Sequence, residues 1–389
     1  MSSTIFRNET RPIDVRQRHV TVTMRRDFIG SMLAGAIATT GGSRLLAQTD
    51  NDADWSRLYV PDEVDNAVSE AVDYLVNRQG QNGSIADRQN EVAMTSLAIM
   101  AMASVGVQPD RQTDRGKAMT RAMEFVLKPD NQDANGYFGR RDRSQMYGHG
   151  IITLMLTEML GMGIDVDQNV RMHKALEQAI GLILQAQKVK KRSSMQGGWR
   201  YAPDSTDSDL SVSIWQLMAL RSANNDGMHV PGEAIDQAVS YLVQSSTAQR
   251  LPDGRISDAA AGFSYMPGSR SGTFAMTAAG LLAMQVCGRY ESPVVTAAAK
   301  WLLEHPPRTN ERFFFYGIYY YAQAMYQVGD TYADTARRLT SAILLKDQRG
   351  DGSWHGYRSE ERNIGPIYTT ALAVLSLSVR YHYLPIYQR

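Results

Sequence analysis

One cysteine, Cys287, stands alone in a chain of 389 residues. A single thiol makes no internal disulfide and no multi-cysteine metal cluster, so the fold has to be held by its apolar core. Neither sign of charge is in excess, because 41 Lys and Arg face 40 Asp and Glu for a net charge of +1. That balance removes the electrostatic footprint of a protein that binds nucleic acid or an anionic membrane surface. Long apolar runs are missing beyond the N-terminal segment; the nearest, 313–326, is too short and too rich in tyrosine to span a bilayer. Strand-period alternation is scarce throughout, which leaves helices.

What is present begins with Met24-Arg25-Arg26-Asp27-Phe28-Ile29 and the small, modestly apolar run 30–38. This has the form of a twin-arginine export signal. Met24 is a candidate start and Leu45-Leu46-Ala47 offers a cleavage position. The expectation is a signal over 1–47 and a single domain over 48–389 that works as a monomer in the periplasm or otherwise outside the cytoplasm.

The domain is organised like its stretch 196–220, where Gly197-Gly198-Trp199 leads through a loop with Asp204, Asp207 and Asp209 into an uncharged helix. A helix apolar all round is buried on every side. The same plan, an amphipathic helix, a glycine-aromatic turn and an uncharged helix, recurs at helical-repeat spacing. Uncharged helices are expected at 92–105, 148–160, 210–220, 272–286, 313–328 and 368–383. Their amphipathic partners are expected at 61–78, 118–127, 170–187, 233–244, 294–303 and 336–345. The class is all-α. Six uncharged helices inside six amphipathic ones close naturally into an (α/α)6 barrel, or toroid, because closure gives every inner helix two neighbours. An open array normally ends in polar capping repeats, and the last uncharged helix here is as apolar as the third.

Gln348-Arg349-Gly350-Asp351-Gly352-Ser353-Trp354 is Gln-x3-Gly-x-Trp, and it resembles the QW repeat of squalene-hopene and related terpenoid cyclases. The run from Gln79 to Gly83 and Ile85 keeps that spacing, and Gly197-Gly198-Trp199 keeps its end. The resemblance implies the α/α toroid shared by terpenoid cyclases and protein prenyltransferase β-subunits. It also implies an apolar, isoprenoid-type ligand in the centre of the ring. Class II cyclases use the middle Asp of Asp-x-Asp-Asp-Thr-Ala as their acid. The matching stretch is Asp207-Ser208-Asp209-Leu210-Ser211-Val212, with Asp209 at the acid position, Asp207 as its companion and Leu210 in place of the last Asp. Prenyltransferases hold zinc with Asp, Cys and His. Cys287 has no Asp-x-Cys arrangement around it, so neither a metal nor another cofactor is expected.

Inner-helix entrances converge on one mouth of a toroid, which nominates residues far apart in sequence. His149, between Gly148 and Gly150, is a candidate proton-transfer group beside Asp207 and Asp209. Candidate ligand contacts are Tyr147, Trp199, Tyr201, Trp215, Arg270, Tyr316, Tyr319, Tyr320 and Tyr368, with Glu91, Thr273 and Thr369 also near helix entrances. Aromatics with few acids suit an apolar or cationic guest. Asp207 and Asp209 equally suit the capping of the helix they precede. Two other functions fit the same fold. One is a polysaccharide hydrolase or lyase pairing Glu91 with Asp207 or Asp209. The other is a non-catalytic envelope module whose centre is filled by its own aromatics. The segment 140–143 reads as a solvated, arginine-rich loop.

Overall fold

The computed structural model describes residues 60–388. The twin-arginine pattern and its cleavage position lie outside the described residues. No helix among the described residues is long and apolar enough to cross a membrane.

Twelve helices form the six expected pairs, each an outer helix followed by an inner one. They are α1 (Glu63–Asn77) with α2 (Glu91–Ala103), α3 (Asp114–Val126) with α4 (Gln145–Glu158), and α5 (Val166–Lys188) with α6 (Leu210–Asn225). Then come α7 (Gly232–Ser245) with α8 (Phe274–Val286), α9 (Pro293–Glu304) with α10 (Phe314–Val328), and α11 (Asp330–Asp347) with α13 (Pro366–Leu377). Between the last two lies a short helix, α12 (Ser359–Ile364), that the sequence pattern does not announce.

The inner helices pack in chain order, α2 on α4, α4 on α6, α6 on α8, α8 on α10 and α10 on α13, and α13 packs back on α2. The ring is closed. Each outer helix seats against the inner helix before it, so that α3 lies on α2 and, across the closure, α1 lies on α13. Burial follows the sequence pattern. Every residue of α2 from Val92 to Met102 is buried, whereas α1 buries only the stripe Ala67, Val68, Ala71, Val72, Tyr74 and Leu75. Val72 and Leu75, with no exposed surface, each contribute roughly 1.5–3 kcal/mol by leaving water.

The glycine turns have a common construction. Gln348 donates from Nε2 to the Gly352 carbonyl at 3.0 Å and to the Ala67 carbonyl of α1 at 2.8 Å. Gln79 bridges Gly83 and Ala118, Gln132 bridges Gly136 and Ala175, and Gln187 bridges Gly197 and Ala234, all at 2.8–3.0 Å. One amide thus ties the turn to itself and to the next outer helix. At Gly136 the backbone has φ 86°, and a Cβ there collides with the Gln178 carbonyl of α5. Only glycine fits both the left-handed backbone and the close approach.

Several helix ends differ from the sequence pattern by four residues or more, and two of them have a local cause. The outer helix α3 starts at Asp114, before the expected 118, because Thr113 accepts the Gly116 amide and caps a first turn that has no apolar period. The last inner helix stops at Leu377, short of 383. A 3-10 turn follows, with Arg380 paired to Asp62 at 2.7 Å and Tyr381 bonded to Asp65 at the start of α1. These polar ties draw the chain out of the ring wall. His382 then takes a left-handed conformation, φ 56°, and the turn Pro385–Tyr387 buries Ile386 and Tyr387.

Candidate functional site

In four pairs a hydroxyl on the inner helix accepts the backbone amide of the residue at the aromatic position of the turn. Thr95 receives Ile85, Ser213 receives Trp199, Thr277 receives Phe263 and Thr370 receives Trp354, at 2.8–3.1 Å. In the second pair the acceptor is His149, whose Nδ1 takes the Phe138 amide at 3.3 Å. Its Nε2 stands 3.2 Å from the Ala179 carbonyl, which requires the proton on Nε2 and a neutral ring. His149 has no exposed surface, and burial pushes its pKa down to about 4. Both nitrogens are occupied by backbone, so the ring presents no free atom to the mouth. Trp199 is likewise buried, and its indole N–H donates to the Ile183 carbonyl of α5 at 2.8 Å, as Trp354 donates to Leu344 of α11. Trp199 therefore sits between inner and outer helices, away from any ligand in the ring.

The ring centre is an aromatic stack. Trp215 lies parallel to Tyr319, centroids 6.0 Å apart and planes at 11°, and meets Tyr320 edge-on at 5.8 Å. Tyr320 fills the space between Tyr316, at 4.9 Å, and Tyr319, at 4.6 Å. Exposure is 1% for Trp215 and Tyr319, 0% for Tyr320, 4% for Tyr316 and 8% for Tyr368. Rings so covered leave little water-sized space between them, and side chains occupy most of the ligand chamber expected here. Its floor is closed by the C-terminal turn: the Tyr387 hydroxyl bonds that of Tyr319, and the Ile386 amide donates to Glu158 at 3.2 Å. The other Glu158 oxygen accepts Ser222 of α6 at 2.5 Å.

Above that stack the entrance of α6 gathers most of the remaining candidates. Asp209 is the N-cap of α6, its Oδ1 accepting the Val212 amide at 3.0 Å and the Ser211 hydroxyl at 2.6 Å. Its Oδ2 is buried with no hydrogen bond, and Arg200 Nε approaches only to 3.8 Å. Burial raises the Asp209 pKa against the lowering pull of Ser211, Val212, Arg200 and Tyr265. Asp207 is half-exposed and pairs with Arg200 at 2.7 Å. The Arg200 guanidinium also lies over the Tyr201 ring, 5.2 Å from its centroid. Tyr201 and Tyr265 stand exposed with their hydroxyls 2.6 Å apart. Both are rigidly mounted, since the Tyr201 carbonyl receives the Met146 amide of α4 and the Tyr265 carbonyl receives the Leu210 amide of α6. Tyr147, half-buried on α4, faces Tyr316 at 6.3 Å, and the Tyr316 hydroxyl donates to the Ser211 carbonyl at 3.2 Å.

Three acids that the pattern did not single out as site residues hold the other entrances. Asp142 accepts the Val92 and Ala93 amides at the start of α2, both at 3.1 Å, so the arginine-rich segment is a helix-capping loop. Asp87 accepts the Ile367 amide of α13 at 2.7 Å, and Glu361 accepts the Tyr316 amide of α10 at 3.1 Å. Burial lifts the Glu361 carboxyl to about 7. Glu91 is exposed on α2, and the buried Asp209 lies on α6, with α4 between them in the ring. Thr369 donates to the Trp354 carbonyl at 2.5 Å, inside the turn. Arg270 and Thr273 are exposed and line a cleft of about 710 Å³ beside the turn from α7 to α8, the longest of the six.

Comparison with known protein families and with curated proteins finds no match to the sequence. Solved structures do match the fold. An α-1,6-mannanase from Salegentibacter sp. superimposes with a TM-score of 0.55 at 8% identity, covering 83% of this chain and 100% of that one. A protein from Actinoplanes matches with a TM-score of 0.49 at 16% identity, covering 82% and 100%. A type II terpene cyclase from Scytonema gives 0.36 at 15% identity, covering 83% and 98%. At such identities only the mannanase match bears on this chain, and only on its fold: the protein is an α/α toroid.

Proposed function

We propose that this chain is an exported, non-catalytic binding module of the cell envelope, and that it holds a polysaccharide strand across the mouth of its ring. The observation that supports this most is the filled centre. A toroid with Trp215, Tyr319 and Tyr320 packed into its lumen leaves little room to enclose a substrate, which favours recognition at its surface. At the mouth that surface offers the rigid, exposed Tyr201 and Tyr265 beside the Arg200–Asp207 pair. Flat aromatic faces with planar charged groups between them suit a chain of sugar rings. The mannanase shares the fold, and its substrate is not carried over from that likeness.

Co-sedimentation with insoluble envelope polysaccharide tests the reading. The wild-type chain is expected in the pellet and a Tyr201→Ala, Tyr265→Ala double variant in the supernatant, with no reducing ends released. Equal pelleting of both, or release of sugar, removes the proposal. A second reading is favoured by one feature, the buried Asp209 whose Oδ2 makes no hydrogen bond and whose pKa is raised. An acid so placed suits proton donation to an isoprenoid alkene. Turnover of a linear polyprene that disappears in Asp209→Asn, with the fold intact, selects that reading instead.

A further inference from the structure

The cleft beside the turn from α7 to α8 has the size of a small-molecule site. Its volume, about 710 Å³, falls inside the usual range of roughly 300–1,000 Å³. Three features of its wall bear on what enters it. Arg270 is exposed and makes no hydrogen bond or ion pair with any described residue. Its planar fork of donors is therefore open to a carboxylate, which it binds through two parallel bonds. Trp301 is held flat by His305, with ring centroids 3.9 Å apart and planes at 7°, and His305 is fixed in turn through Nδ1 to the Trp301 carbonyl at 2.9 Å. An aromatic wall immobilised before binding loses little freedom when a ring settles on it. Glu311 is the single carboxylate among the described residues of the lining, accompanied by the polar side chains of Gln249 and Ser257.

The single carboxylate separates binding from hydrolysis. Glycoside hydrolysis ordinarily takes two carboxyl groups flanking the scissile bond, and among the described residues this wall has one. A lone carboxyl with an amide and a hydroxyl around it suits the holding of sugar hydroxyls.

We infer that this cleft binds a short acidic saccharide, its carboxylate on Arg270, its hydroxyls on Glu311, Gln249 and Ser257, and a ring face against Trp301. The inference deepens the polysaccharide reading by naming a uronic-acid sugar, and it rests on that reading only for the class of ligand.

The full chain is titrated by calorimetry with digalacturonate and with the neutral galactobiose. One digalacturonate is expected to bind per chain, at least tenfold more tightly than galactobiose. Arg270→Ala is expected to weaken it tenfold or more, and Arg270→Lys to restore only part, because a point charge lacks the fork. Because Arg270 is exposed, neither substitution touches the core. Absence of digalacturonate binding, equal affinity for both sugars, or indifference to Arg270→Ala overturns the inference, and so does cleavage of the disaccharide. Pelleting with insoluble polysaccharide is read separately. If the titration succeeds and the mouth variants pellet like wild type, the cleft stands and the mouth reading falls. If pelleting needs the two tyrosines and digalacturonate does not bind, the reverse holds.

Discussion

In four turns a hydroxyl receives the amide of the buried turn residue, and in the second an imidazole receives it, which makes acid the sensitive condition for His149. Unfolded, the ring titrates near 6.5; folded, it is held at about 4 by burial. Below pH about 6.5 the unfolded chain takes up a proton that the folded chain refuses, so stability falls with pH and levels off below about 4. The loss amounts to roughly 3 kcal/mol at most. Urea melts from pH 7 to 4 are expected to show it in the wild type and to show a flatter profile in His149→Thr, which restores the hydroxyl of the other turns. An equally steep profile in the variant places the acid sensitivity elsewhere. For Asp209 the sign is opposite, because a raised carboxyl pKa is a cost that grows as pH rises from the ordinary aspartate value. Asp209→Asn keeps the oxygen that caps α6 and removes the buried charge. Its thermal midpoint at pH 7 should equal or exceed the wild type, while Asp209→Ala, which loses the cap, should cost about 1 kcal/mol. A midpoint in Asp209→Asn as low as in Asp209→Ala contradicts this account.

Helices and their ends show where the sequence was legible and where it was silent. Apolar stripes and uncharged runs predict every inner and outer helix, because each run is set by whether one side or all sides are buried. Gln132 keeps the Gln-x3-Gly spacing with Phe138 at the aromatic position, so its role could be read from the chain. Asp87 and Glu361 could not. Each caps a helix that is its neighbour only around the ring, α13 and α10, and nothing local marks such a partner. His149 was misleading for the related reason that glycines on both sides serve close packing against Ser144 and Gln216. The turns carry a prediction of their own. Gln132→Ala should lose two hydrogen bonds and about 1–3 kcal/mol in denaturant melts. Gly136→Ala should lose more, since its Cβ meets the α5 backbone as well as an unfavourable φ. If Gly136→Ala is the milder change, the tight approach between turn and helix is not what the turn requires.

Closure is a property of the whole molecule, and it changes how the protein should respond to loss of a part. In an open array the end repeats can be removed and the remainder still melts cooperatively. Here α13 supports α2 and α10 at once, and α1 rests on α13. Excision of the sixth pair, from Asp330 onward, is therefore expected to abolish the cooperative transition and to produce dye-binding apolar surface. A sharp melt of the shortened chain shows that five pairs suffice and that closure adds little.

The bonds that fasten each turn to the next outer helix are not evenly distributed around the ring. Glutamines make four of them, and the Ala261 amide, donating to the Ala297 carbonyl at 3.1 Å, makes a fifth. The turn from α9 to α10, residues 305–313, contains no glutamine, and no equivalent bond joins it to α11 among the described residues. Opening fluctuations should start at this join, and hydrogen exchange should find the first amides of α10 and α11 among the quickest. Trp301, His305 and Glu311, which wall the off-axis cleft, flank the same join. A molecule lodged there would act as a rivet, slowing exchange at one sector of the ring while leaving the opposite sector's exchange unchanged.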